Sequence, residues 1–262
     1  MSGEIRYEEI STSEAVNLSP HNHAYINPYN GCSMGCPFCF WLNDEGWEGR
    51  IQIKTNICQV LERQLKNWPK DQIIYLGSVC DPFNELENRY RLSEGCLRLI
   101  REYEIPLLIT TSAVNEVVME YAGLLKSMKQ RVILVTELAR LPEIQRMNHG
   151  GIHAGIRHAN ALKEMGLEVW ATLAPLLPGI IELDPVLKRL NPEIPLYVDA
   201  LSCAEGSAHG ARTMRWIMRE HTEYTELYRN IIENQDVSYF QKLLQIYQDR
   251  PQIHTFPFDF SQ

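Results

Sequence analysis

The sequence lacks a basic block of the kind that nucleic-acid-binding proteins usually carry. Its 25 lysine and arginine residues are outnumbered by 33 aspartate and glutamate residues, which leaves a formal net charge of −8. Proteins that bind duplex DNA usually present a positive face, because much of their affinity comes from neutralised phosphates. The charge balance therefore argues against a nucleic-acid substrate, although a local basic groove stays open.

The sequence also lacks a long hydrophobic segment. Its longest apolar run, residues 171–181, is too short to cross a bilayer and contains two prolines. Residues 1–6 have no apolar core of the kind that a signal peptide requires. The seven cysteines are odd in number and partly clustered, which does not suit a disulfide scaffold. We therefore expect a cytoplasmic protein without a membrane partner.

What the sequence does contain is a dense group of thiols within residues 27–41. Cys32, Cys36 and Cys39 follow the spacing C-x-x-x-C-x-x-C, among glycine, proline and aromatic residues. Thiolates this close together in one loop can converge on a single centre. The usual centres are zinc and iron–sulfur clusters.

The spacing favours an iron–sulfur cluster over zinc. A structural zinc site needs four ligands, which typically arrive as two pairs, and no second C-x-x-C follows. The remaining cysteines are isolated from one another: Cys58, Cys80, Cys96 and Cys203. Three thiolates without a fourth suit a cubane cluster with one open iron. A zinc site and a chance grouping of thiols remain the alternatives.

The rest of the chain alternates between predicted strands and helices. Short apolar runs predict strands, and apolar residues at helical spacing between them predict helices. The predicted strands cover residues 24–29, 72–77, 106–111, 131–136, 168–173 and 195–201. Continuously apolar strands are typical of parallel sheets buried on both faces. Right-handed crossovers would wind such a sheet into an α/β barrel or part of one.

The chain divides into three predicted segments. Residues 1–23 are polar without a clear period, and we expect an N-terminal arm there. Residues 24–205 would form the barrel, and residues 206–262 a C-terminal helical extension that packs on it. We expect Asp236 to cap the last helix and Ser93 to cap a helix of the barrel.

The cysteine motif, just after a predicted strand, resembles that of the radical S-adenosylmethionine (radical SAM) enzymes. The similarity extends to spore photoproduct lyase and its relatives through the motifs at residues 77–87, 109–113 and 174–179. The first of these reads Gly-Ser-Val-Cys-Asp-Pro-Phe at its start and follows the second predicted strand. The resemblance covers roughly residues 25–179, and it implies a partial (β/α)6 TIM-type barrel with C-terminal helices outside it.

The resemblance also implies a chemistry. Cys32, Cys36 and Cys39 would hold a [4Fe–4S] cluster, and S-adenosylmethionine (SAM) would bind its open iron. An electron from an external donor would cleave SAM to a 5′-deoxyadenosyl radical, which takes a hydrogen atom from the substrate. An oxygen-sensitive cluster agrees with the cytoplasmic expectation.

Carried over residue by residue, the resemblance implies a SAM pocket at the carboxyl ends of the strands. The predicted cofactor-binding residues are Phe38, Gly77, Ser78, Ser112, Thr136 and Arg157. Phe38 would lie near the adenine, and Arg157 would bind the SAM carboxylate, because its fork of donors matches a carboxylate. Thr111 stands where relatives often have lysine, so that carboxylate contact of the family cannot be carried over to this chain.

Cys80 and Cys203 are the candidate catalytic residues, as donors that return a hydrogen atom to the product radical. Spore photoproduct lyase has such a cysteine near residues 77–81, but alignment on Asp81 puts Ser78 at its position. For both cysteines the alternative is an ordinary buried thiol.

The resemblance leaves the substrate open. Relatives of the lyase include enzymes that mature ribosomally made peptides, among them enzymes that excise a tyramine unit. We therefore expect a peptide maturase aided by a separate small recognition protein. Repair or modification of nucleic acid, as by the lyase, is the second hypothesis. A non-enzymatic zinc-binding protein is the third.

Overall fold

The computed structural model describes residues 5–39, 41, 49–136, 154–204 and 206–255. The strands are β1 (Arg6–Ile10), β2 (Val16–Leu18), β3 (Ala24–Ile26), β4 (Tyr29–Asn30), β5 (Arg50–Lys54), β6 (Ile74–Leu76), β7 (Leu107–Thr111), β8 (Arg131–Val135), β9 (Val169–Leu176), β10 (Leu196–Ala200) and β11 (Ile253–Thr255). The helices are α1 (Ile57–Leu65), α2 (Glu87–Tyr90), α3 (Leu92–Glu102), α4 (Val117–Glu120), α5 (Ala122–Lys126), α6 (Ala154–Glu164), α7 (Leu183–Leu187), α8 (Ala208–Glu220), α9 (Thr225–Glu233) and α10 (Ser238–Ile246).

The main sheet has eight strands in the order β11-β10-β9-β8-β7-β6-β3-β2. Every neighbouring pair from β3 to β11 is parallel, and only β2 joins its neighbour antiparallel. The six predicted strands are β3 and β6 to β10, in sequence order across the sheet. This confirms the predicted α/β fold, a partial TIM-type barrel. A smaller sheet has the order β1-β5-β4.

The two faces of the main sheet differ in burial. In β7, Leu107, Ile109 and Thr111 are buried, while Leu108 and Thr110 between them are only half-buried. Strands β3, β6 and β10 alternate in the same way. We call the half-buried side the inner face, since the crossover helices cover the other. The expectation that the strands are buried on both faces is therefore wrong for one face, which an incomplete barrel leaves open.

Local structure differs from the sequence predictions at three places. The predicted arm contains β1 and β2, each paired with a later strand, β5 or β3. Ser93 is not an N-cap, because it lies buried within the first turn of α3 and donates its hydroxyl hydrogen to Pro82 O over 2.5 Å. Asp236 is not the N-cap of α10 either, because Val237 holds that position, although the Asp236 carboxylate accepts the Ser238 N–H over 2.8 Å.

The chain after residue 206 is not purely helical. Within the predicted helical extension, a 3-10 turn, Thr222–Tyr224, separates α8 from α9. The missed strand β11 then adds to the open edge of the main sheet beside β10. Among the described residues, no helix combines the length and the apolar character needed to cross a membrane.

Candidate functional site

The cysteine loop begins where β3 and its short continuation β4 end. β3 pairs in parallel with β6, and β4 pairs with β5 of the smaller sheet. Before the first cysteine, Gly31 has a φ of +115°, and a Cβ there would lie 2.1 Å from Arg50 O. Only glycine fits both the positive φ and this close approach. The loop therefore leaves the sheet at one defined point, with Cys32 at the exit.

The three thiols of the loop differ in exposure. Cys36 is buried, whereas Cys32 and Cys39 are half-buried. The Met34 N–H donates to Cys32 Sγ over 3.4 Å, and the Cys39 N–H donates to the Cys36 carbonyl over 3.1 Å. Across the described ranges, no three His, Cys, Asp or Glu side chains are arranged as a metal-binding group. The donor set, three soft thiols in one loop, suits an iron–sulfur cluster, but the ligand assignment stays a prediction.

Helix α8 contacts the second half of the cysteine loop. The Thr213 hydroxyl lies 3.1 Å from Pro37 O and 2.9 Å from His209 O one turn earlier, and its single hydrogen can be donated to either. One turn later, the Trp216 ring centroid lies 6.1 Å from that of Phe38. Trp216 is buried, and its Nε1 has no hydrogen-bond partner among the described residues. The sequence predicted only that this helix packs on the barrel. Its one sign of a contact with the cysteine loop was a Thr and a Trp three residues apart on one helical face.

The loop after β6 turns sharply at Gly77. This residue has a φ of +85°, and a Cβ on it would lie 2.4 Å from Pro82 Cδ and 2.5 Å from Thr110 O. The glycine thus lets the loop pass close to Pro82 and β7, a requirement of the chain itself. That Gly77 also lets the backbone approach a bound ligand stays a prediction.

Asp81 joins the ends of β6 and β7. One carboxylate oxygen accepts the Thr111 hydroxyl over 2.8 Å and the Phe83 N–H over 2.9 Å. The other accepts the Ser112 N–H over 3.0 Å and also the Ser112 hydroxyl. Ser112, predicted to contact SAM, is buried and engaged by this carboxylate. Asp81 was named only as an alignment point, and its structural role was missed.

Ser78 is positioned by a buried amide. Asn27, which is 3% exposed, donates from Nδ2 to Ser78 Oγ over 3.2 Å and accepts the Val79 N–H over 3.1 Å. Ser78 itself is exposed beyond the end of β6. Asn27, in the segment that leads into the cysteine loop, therefore holds the loop before Cys80 in place.

The two candidate hydrogen donors are both buried. Cys80 donates its thiol hydrogen to Tyr29 O over 2.7 Å. Burial, and then the charges at Cys32 and Asp81, raise the pKa of the Cys80 thiol well above its ordinary value. Burial also raises the pKa of the Cys203 thiol to about 11. Both side chains therefore keep their hydrogen at neutral pH.

The remaining predicted residues lie near the ends of β7 and β8. Thr136 donates both its N–H, over 2.8 Å, and its hydroxyl, over 3.3 Å, to Thr111 O. Arg157 is exposed on the first turn of α6. One residue on, the sequence predicts a solvated His158 on the helix surface. That prediction is wrong, because His158 is half-buried and its Nδ1 lies 2.6 Å from Ala113 O. The other two histidines of this region, at positions 149 and 153, lie outside the described residues.

A buried carboxylate behind the cysteine loop was missed entirely. Glu87 is 0% exposed and accepts the hydroxyl hydrogens of Tyr29 over 2.5 Å and Tyr121 over 2.8 Å. It also accepts the N–H groups of Ser93, over 3.0 Å, and Glu94, over 2.9 Å, at the start of α3. Desolvation, and then the Glu87 charge, raise the pKa of both phenols. Glu87 thus ties β4, which leads into the cysteine loop, to helix α3.

Comparison with solved structures shows the class of fold. A variant of spore photoproduct lyase superposes with a TM-score of 0.60 at 12% identity, covering 92% of this chain and 78% of the lyase. A variant with bound AdoMet and dinucleoside spore photoproduct gives a TM-score of 0.57 at 11% identity, covering 97% and 82%. The fold is therefore that of spore photoproduct lyase.

Other comparisons are more distant or uninformative about activity. SuiB from Streptococcus suis, bound to its precursor peptide SuiA, gives a TM-score of 0.50 at 18% identity, covering 88% of this chain and 48% of SuiB. Uncharacterised proteins of Mycobacterium tuberculosis and Mycobacterium bovis are 27% identical, covering 86% of this chain and 74% of theirs. One from Methanocaldococcus jannaschii is 22% identical, covering 75% and 78%. No family model matches the chain.

Proposed function

We propose that this chain is a radical SAM enzyme that holds a [4Fe–4S] cluster on Cys32, Cys36 and Cys39. The observation that carries the proposal is the position of the cysteine loop. It follows the first strand of the parallel sheet, and Asn27 and Tyr29 connect its approach to the loop after β6. In barrels of this kind, chemistry is carried by the loops at the carboxyl ends of the strands.

When bound, the cluster would supply an electron, taken from an external donor, for reductive cleavage of SAM. The chain's own residues would bind and orient that cofactor. Phe38 and Trp216 offer aromatic surface beside the loop, with a buried indole N–H available to a bound group. Ser78, oriented by Asn27, and the exposed guanidinium of Arg157 are polar groups for the amino and carboxylate ends.

We assign the return of a hydrogen atom to Cys80 ahead of Cys203. A hydrogen donor must be a thiol and not a thiolate, and burial raises the pKa of both side chains. Cys80 is the one that contacts the segment leading into the cysteine loop, through Tyr29 O. Substituting Cys80 with alanine should then change the product distribution, whereas substituting Cys203 should not.

We propose a ribosomally made peptide as the substrate, with a separate small recognition protein, acting in the cytoplasm. SuiB, a fold relative, was solved bound to its precursor peptide. The formal charge of −8 supports a peptide over a polyanion. Excision of a tyramine unit is one such reaction.

Nucleic-acid repair is the second candidate. It is favoured by one observation, the coverage of 97% of this chain by the lyase variant bound to a dinucleoside photoproduct. Tight, salt-sensitive DNA binding without affinity for any peptide would make this candidate the leading one. Salt dependence is the discriminating measurement, because each neutralised phosphate steepens it.

The test of the enzyme class is anaerobic. The protein is reconstituted with iron and sulfide, reduced with dithionite and given SAM, and 5′-deoxyadenosine is measured by mass spectrometry. We expect the product from the wild type, none from Cys36→Ala, and an unchanged amount from Cys58→Ala, a matched loss of one thiol outside the loop. Bound zinc, with no cluster and no SAM cleavage, would instead support the zinc-binding alternative.

A further inference from the structure

The inner face of the main sheet presents a row of aromatic rings. On neighbouring strands, the rings of Trp170 and Tyr197 lie 5.4 Å apart at 38°, and those of Tyr197 and His254 lie 5.3 Å apart at 33°. Trp170 and Tyr197 are half-buried and His254 is exposed. The row therefore offers apolar, partly accessible ring surface on the open side of the barrel.

A buried hydroxyl without a partner adjoins these rings. Thr172 shares a face of β9 with Trp170, two residues before it, and is the register partner of Tyr197 on β10. It is 3% exposed, and its Oγ1 has no hydrogen-bond partner among the described residues. Buried hydroxyls are normally paired, so an unpaired one on the inner face indicates a position where a bound group supplies the partner.

The residues of the inner face favour an uncharged ligand over a polyanion. The inner positions of the strands, in chain order, are Tyr25, Tyr75, Leu108, Thr110, Val132, Leu134, Trp170, Thr172, Ala174, Tyr197, Asp199 and His254. These described positions contain no lysine or arginine. The fixed charge among them, Asp199, is negative. Glu168, just before β9, accepts the Trp170 indole N–H over 2.9 Å. The described strand positions of this face therefore supply no lysine or arginine of their own to a phosphate.

We propose that the inner face binds an uncharged aromatic side chain of the peptide substrate, at a site formed by Trp170, Tyr197 and Thr172. The ring packs against the two aromatic residues, and a polar atom of the substrate bonds the Thr172 hydroxyl. The site names the substrate class for the proposed peptide-modifying function and rests on it. His254, on the edge strand, extends the same ring surface toward the open side.

Binding of defined probes to the full chain tests the site. The probes are N-acetyl-L-tyrosinamide, N-acetyl-L-leucinamide and thymidine 5′-monophosphate, followed by ligand-observed NMR on the protein before and after cluster reconstitution. We expect the tyrosine probe to bind more tightly than the other two. Thr172→Val should weaken it roughly fivefold, as expected for one lost hydrogen bond. Tyr197→Leu should weaken it roughly threefold to tenfold through lost ring packing.

Stability measurements separate the site from a purely structural role. Thr172→Val removes a hydroxyl that has no partner, so its thermal midpoint should equal or exceed that of the wild type. Thr213→Val is the matched control, because the Thr213 hydroxyl is also buried but bonded to Pro37 O or His209 O, and its midpoint should fall. Tyr7→Leu, at an exposed tyrosine on β1, controls for loss of a ring elsewhere and should leave probe binding unchanged.

Equal binding of the tyrosine and leucine probes, or unchanged tyrosine binding in Thr172→Val and Tyr197→Leu, would overturn the site. Tighter binding of the nucleotide would overturn the peptide class and favour a nucleic-acid substrate. Failure of the proposed function looks different, because probe binding needs no SAM cleavage. Selective binding of the tyrosine probe by a protein that forms no cluster would remove the radical SAM assignment and leave the aromatic site standing.

Discussion

Replacement of Glu87 by glutamine should destabilise the protein strongly and loosen the cysteine loop. The carboxylate is fully buried and accepts four hydrogen bonds, two on each oxygen: Tyr121 OH and Glu94 N–H on one, Tyr29 OH and Ser93 N–H on the other. A glutamine amide can replace only one of these oxygens as an acceptor. Its NH2 group would face one phenol, which can rotate, and one backbone N–H, which cannot.

The magnitude follows from these contacts. A buried N–H left without an acceptor costs about 1–3 kcal/mol, and each bond that changes from a charged to a neutral acceptor loses about 1 kcal/mol. Loss of a negative charge at the start of α3 adds about 0.5 kcal/mol. The sum is about 3–5 kcal/mol, a large part of the 5–15 kcal/mol typical of a folded domain.

Urea unfolding followed by circular dichroism measures this loss. Glu94→Gln is the matched control, because Glu94 lies in the first turn of α3 but forms a surface ion pair with Arg98 at 2.6 Å, and such pairs contribute about 0–1 kcal/mol. Since Glu87 also holds Tyr29 ahead of the cysteine loop, the variant should take up less iron and sulfide per chain. A free energy of unfolding within about 1 kcal/mol of the wild type would refute the reasoning.

Three further predictions follow from other contacts. Asp81→Asn should lower the free energy of unfolding by about 2–3 kcal/mol in urea titrations. The two carboxylate oxygens accept two N–H groups and two hydroxyls, whereas an amide has only one oxygen that can accept. A change under about 0.5 kcal/mol would contradict this prediction. A hydrogen bond with Cys96 is the largest cause that lowers the pKa of the Cys58 thiol. Cys96→Ala should therefore slow the alkylation of Cys58 by iodoacetamide at pH 8, measured by peptide mass spectrometry. Equal rates in the variant and the wild type would rule the hydrogen bond out. Burial raises the pKa of Tyr228, and Tyr29 behaves alike, so the folded state holds these protons more tightly than the unfolded chain. The stabilisation from these phenols is fully present below about pH 10 and is lost above it, so the free energy of unfolding should fall above pH 10, and less steeply in Tyr228→Phe.

The sequence alone was sufficient for the fold and the cysteine motif. The strands of the barrel are short apolar runs separated by amphipathic helices, and their period is a local property that survives without tertiary information. The C-x-x-x-C-x-x-C spacing is likewise local. Boundaries were accurate to within a few residues, as for β8, predicted at residues 131–136 and observed at Arg131–Val135.

Elements that depend on long-range pairing were missed. β1 pairs with β5 across more than forty residues of chain, Arg6 opposite Arg50 and Ile10 opposite Lys54. β11 is a three-residue strand whose partner among the described strands is β10. Neither segment has enough local β propensity to be predicted from its sequence, because short edge strands are stabilised by the neighbouring strand that they pair with.

Only the tertiary structure decided which residues hold the candidate site in place. Nothing in the local sequence around Glu87 or Asp81 indicates burial, since carboxylates are normally exposed and become buried only where donors converge on them. Those donors come from β4, β7 and the start of α3, which meet only in the folded chain. The sequence by itself determined the fold class and which thiols share a loop. The folded chain decided which carboxylates, amides and hydroxyls position that loop, and which face of the sheet stays open, because these depend on contacts between residues far apart along the chain.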